Sequence, residues 1–119
     1  MGILSQKFAI KNYIVDKNGF RNHEEKWKDP ELNQKDILIF LGDSFTFGKG
    51  VKEGENFESL VSEKKKEFIS FNIGDPGSDT NRQIKFFYNL INSSDKLGIN
   101  IKYLVYIINR KIVKFDISK

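Results

Sequence analysis

Three runs of nearly continuous apolar residues mark the chain: Ile37–Leu41 (ILIFL), Phe68–Ile73 (FISFNI) and Ile101–Ile108 (IKYLVYII). Five apolar residues in a row without alternation predict a strand buried on both faces, as in a parallel sheet. Between these runs the spacing changes to threes and fours. Asn56 is placed to cap a helix whose Phe57, Leu60, Val61 and Lys64 fall on one side. Thr80 and Gln83 predict a capping box, followed by a helix to about Ser94 with Ile84, Phe87, Tyr88 and Ile91 on one face and an exit at Leu97-Gly98. Upstream, Lys7–Val15 reads as a short strand closed by the turn Asp16-Lys17-Asn18-Gly19. Phe20–Asp36, polar and containing Pro30, reads as a connection with little regular structure. The tail NRKIVKFDISK is too short for another helix and strand.

Strand, helix, strand, helix, strand predicts an α/β fold: a three-layer α/β/α unit on a parallel sheet of about three central strands, with right-handed crossovers. With 119 residues the chain is expected to form one domain. Residues 1–36 supply an N-terminal strand and connection, and residues 37–119 the α/β unit. Such sheets bind ligands beyond the carboxyl ends of their strands. Segments leaving those ends begin at Gly42, Gly74 and Asn109.

Composition narrows the chemistry. The net charge of +4 comes from lysines scattered along the chain, so nucleic acid is a poor fit. Without cysteine, and with His23 as the sole histidine, neither a disulfide nor a zinc or other metal site is expected. No run is long enough for a membrane span, and MGILSQKFAIKNY is too weakly apolar for a secretory signal. The compartment stays open.

The segment Ile37–Gly50, ILIFLGDSFTFGKG, carries the candidate chemistry. A phosphate loop needs four residues between its glycines and a hydroxyl after its lysine. Here five residues separate Gly42 from Gly48, and Gly50 follows Lys49. The G-x-S-x-G nucleophile elbow fails as well, because Thr46 stands where its second glycine belongs. What remains is Gly42-Asp43-Ser44 at the end of a buried strand.

GDSFTFG resembles the first block of the GDSL-type, or SGNH, hydrolases, whose serine in Gly-Asp-Ser is the nucleophile; the matching residue is Ser44, with Gly42 and Asp43 in support. NIGDPG resembles the second block, in which a glycine five residues after an asparagine lines the oxyanion hole; here that is Gly77 after Asn72. DKNGFRNHEE is similar to a segment preceding the nucleophile strand in many bacterial members. The resemblance implies a flavodoxin-like parallel sheet and an ester hydrolase working through an acyl-serine without a cofactor. Small-molecule or carbohydrate acyl esters would be its substrates. It also implies Asn109 as a further oxyanion donor, although Arg110 follows where the family has aspartate.

The family's closing Asp-x-x-His is absent from the 119 residues. His23, in a highly charged stretch, reads as a solvated residue, and the chain as the N-terminal part of such a hydrolase. Two readings from other classes stand beside it: a binding module without turnover, and a nucleotide-binding α/β domain. Three strands would also leave IKYLVYII with an open apolar edge, a route to self-association.

Overall fold

The computed structural model describes residues 13–97, 99–108 and 111–117. The three apolar runs form strands β1 (Asp36–Gly42), β2 (Phe68–Gly74) and β3 (Ile101–Ile108), and the tail adds β4 (Lys111–Asp116). β1 lies centrally, parallel to β2 on one side and to β3 on the other; β4 runs antiparallel to β3, giving the order β2-β1-β3-β4. Helices α1 (Ser44–Phe47), α2 (Phe57–Lys64) and α3 (Thr80–Leu97) complete the α/β fold, with a 3₁₀ turn at Glu24–Lys28.

Successive residues of a strand point to opposite faces, so the unalternating runs feed two cores. Ile37, Ile39 and Leu41, with Ile69, Phe71 and Ile73, meet Phe20, Leu32 and the α3 residues Phe86, Phe87, Leu90 and Ile91. On the other face, Leu38, Phe40 and Val105 pack against Phe57 and Val61 of α2. Helices therefore cover both faces of the sheet, the three-layer arrangement expected. A register shift between Ile37 and Leu38 against β3 pairs them with Ile101 and Tyr103, which puts Ile101 and Leu104 in the same core.

Several expectations change. β3 has no open edge, because Lys111–Asp116 of the tail pairs with it as β4; among the described residues the open edge is that of β4. In α2 the Asn56 cap forms, its Oδ1 accepting from Ser59 N at 2.8 Å. Yet Leu60 is 46% exposed, while Glu58 is buried between Lys26 and Ser70. The α3 face is rotated: Ile84 and Tyr88 are exposed, and Phe86 and Leu90 replace them against the core. Its first turn is capped by Asp79, whose Oδ1 accepts from Arg82 N, rather than by Thr80. Phe20–Asp36 is no loose connection, since Phe20, Arg21, Asn22 and Leu32 are buried. Of the predicted strand Lys7–Val15, residues 13–15 are not extended into a sheet, and residues 7–12 lie outside the described residues.

Candidate active site

β1 ends at Gly42 because the chain turns back immediately. A Cβ on Gly42 would stand 2.1 Å from Thr46 Oγ1 and 3.0 Å from Ile107 O. Asp43 Oδ1 accepts from Phe45 N at 3.0 Å and so starts α1, with Ser44 as its first residue. The helix lasts one turn. Gly48 closes it in the left-handed conformation (φ 80°), its N–H donating to Ser44 O at 2.9 Å. Thr46 and Phe47 are buried, whereas Ser44 is half-buried and Phe45 is 52% exposed.

The loop after β2 lies directly beside it. Gly74 is the parallel partner of Gly42, and Asp75 N donates to Gly42 O at 2.9 Å. A Cβ on Gly74 would come within 2.3 Å of Phe47 N, so α1 lies across the end of β2 only because Gly74 has no side chain. Beyond buried Pro76, Gly77 is exposed and has φ 76°, a left-handed position that suits glycine. Ser44 and Gly77 thus occupy adjacent loops at the carboxyl ends of neighbouring parallel strands. Asn109 lies outside the described residues.

Asn72 joins the two loops from below. It is fully buried; its Nδ2 donates to Thr46 O at 2.7 Å, and its Oδ1 accepts from Gly74 N at 2.8 Å. Its own backbone is held by Asn22, which accepts from Asn72 N and donates to Asn72 O, both at 2.8 Å. Arg21 grips the far side of α1, donating to Phe47 O, Gly48 O and Val51 O. Asp16 secures the turn carrying both residues by accepting from Asn18 N, Phe20 N, Asn22 Nδ2 and Trp27 Nε1. The DKNGFRN segment is the clamp that fixes α1, a role its sequence did not reveal. The available signal was polar Asn72 inside an apolar strand run, since a buried amide demands partners.

The second loop has its own brace. Ser78 donates to Asp75 O through both N and Oγ; Gln83 Nε2 donates to Ser78, and Gln83 Oε1 accepts from Tyr106 of β3 at 2.5 Å. Asp75 itself is buried, with Arg82 Nε 3.0 Å from Oδ2. Burial pushes its carboxyl up to about 6.

His23 sits apart from this framework, its side chain 59% exposed and Nε2 3.9 Å from Glu53 Oε1. No cluster of three metal-ligating side chains occurs among the described residues, and none of their helices is long and apolar enough to cross a membrane. The chain matches no family model, no curated protein and no solved structure.

Proposed function

We propose that the chain carries the nucleophile and oxyanion elements of an SGNH-type ester hydrolase. Ser44 Oγ attacks the carbonyl carbon of a small-molecule or carbohydrate acyl ester and gives its proton to a base. The carbonyl oxygen becomes an oxyanion that accepts from the backbone N–H groups of Ser44 and Gly77. Collapse expels the alcohol and leaves an acyl-serine, which water then cleaves to the acid. Preorganised donors of this kind are worth about 3 kcal/mol each, because they need no rearrangement as charge develops.

The observation that carries the reading is the clamp. Arg21, Asn22 and Asn72 commit buried hydrogen bonds to hold one turn of helix beside the Gly74–Ser78 loop. A turn with only a structural task does not require that its first residue, a serine, remain partly open to solvent. Asn109 would add a third donor.

The base is the missing part. Asp-x-x-His does not occur in these residues, and His23 lies exposed at the surface, 3.9 Å from Glu53. A general base contributes about 10²–10⁴-fold, so this chain by itself should turn over esters very slowly. That weakness favours, as a second reading, a binding module that keeps the crevice without turnover.

Incubation with an activated short-chain aryl ester separates the two. The hydrolase reading expects a slow burst of alcohol and an acyl mass shift confined to Ser44, both lost in Ser44→Ala and retained in His23→Ala. No acylation at Ser44 supports the binding module. Robust turnover abolished by His23→Ala would make His23 the base and overturn the view of an incomplete catalytic set.

A further inference from the structure

The two edges of the sheet are treated differently. At β2 the Asn22 amide takes the place of a neighbouring strand by bonding both backbone groups of Asn72. At β4 all six residues are exposed, including Ile112 (54%), Val113 (39%) and Phe115 (46%). An exposed edge strand of this length, here half apolar and half charged, is a template for pairing. The residues on it choose the partner.

Ile117 N donates to Lys102 O at 2.8 Å, and β4 pairs with β3 in unbroken register from Asp116 to Lys111. Antiparallel ladders alternate, so Lys111, Val113, Phe115 and Ile117 turn their backbone groups toward β3, and Ile112, Lys114 and Asp116 turn theirs to the open edge. A two-fold axis normal to the sheet keeps each side chain on its own face, which requires paired positions to be of like parity. With the axis at Phe115, Lys114 exchanges backbone hydrogen bonds with Asp116 of the second copy, and Asp116 with its Lys114. Their ammonium and carboxylate groups then face each other twice. On the opposite face, Phe115 meets Phe115 and Val113 meets Ile117. Moving the axis to Lys114 would place two ammonium groups together, and moving it to Val113 would set Lys111 against Phe115 and Lys114 against Ile112.

We propose that β4 is the interface for a second copy of this chain, paired antiparallel about Phe115 in one continuous eight-stranded sheet. Charge complementarity between Lys114 and Asp116 selects this register, and apolar contact on the other face favours it. Nothing in the proposal depends on the hydrolase reading.

Charge reversal tests the register directly. Sedimentation over a concentration series should show a monomer–dimer equilibrium for the wild type. Lys114→Asp and Asp116→Lys should each be monomeric, because each sets like charges opposite one another at both pairs. An equimolar mixture of the two should dimerise again, as every pair is then opposite in sign. That recovery also shows that both variants are folded.

The chain contains no cysteine, and positions facing across a non-hydrogen-bonded pair have Cα atoms about 4.5 Å apart, within disulfide range. Phe115→Cys should therefore oxidise to a covalent dimer, and Ile112→Cys should not. A wild type that stays monomeric to about 1 mM overturns the interface. So does a dimer indifferent to both reversals, or one lost in the single variants and not restored by mixing.

Discussion

The closed and open edges of the sheet show two ways of ending a ladder of backbone hydrogen bonds. At β2, the buried Asn22 amide bonds both backbone groups of Asn72, while partly buried Lys26 meets Glu58 beside Ser70 and partly buried Trp27 stacks on Phe71 with ring centroids 3.9 Å apart. At β4 no further strand among the described residues continues the ladder. The closed edge is also the edge beside the candidate site, and the residues that close it hold α1. Sealing the sheet and placing Ser44 are one structural task, performed by the DKNGFRN segment.

If that contrast is right, substitutions on the closed side should cost far more than those on β4. Arg21→Ala leaves three carbonyl acceptors without a buried, charged donor, and Asn22→Leu strips both backbone groups of Asn72. Each should lower stability by about 3–5 kcal/mol in denaturant titrations. A loss below about 1 kcal/mol at either position would break the comparison.

The closed side also carries the pH dependence. Burial raises the Asp75 carboxyl from 3.8 to about 6, so between those values the folded chain binds more protons than the unfolded one. Stability should then fall as pH rises across that window and level off above it, by at most about 3 kcal/mol. Asp75→Asn should flatten the curve, measured as the midpoint of denaturant unfolding at each pH.

Gly74→Ala places a methyl group against the Phe47 backbone, which no side-chain rotation can relieve. A cost of about 1–3 kcal/mol is expected and, on the hydrolase reading, weaker acylation at Ser44 as α1 is pushed off the strand end. The smallest effect belongs to the open edge: Ile112→Thr, measured where the chain is monomeric, should change stability by less than about 0.5 kcal/mol.

The central strands were legible because burial on both faces leaves runs of apolar residues with few polar interruptions, among them Ser70, Asn72 and Lys102. The two carboxyl-end loops were legible because Gly42, Gly74 and Gly77 punctuate them. The rotation of α3 was not, since Ile84 and Tyr88 are as apolar in sequence as the Phe86 and Leu90 that displace them. Nor was β4: KIVKFD is a strand through its pairing with β3, a choice that depends on which edge remains available. The clamp escaped for a related reason. Polar residues in a charged stretch read as solvated, and only the distant carbonyls of α1 and Asn72 turn Arg21 and Asn22 into buried ones.

The Asn22 amide has a consequence for assembly that reaches beyond its own hydrogen bonds. A sheet open at both sides can recruit copies head to tail without limit, the geometry of a filament. The Asn22 amide occupies the backbone groups of Asn72 and so works against addition of a strand at β2. If copies pair through β4 as proposed, a two-fold union uses that side up and association ends at two copies rather than in a fibre.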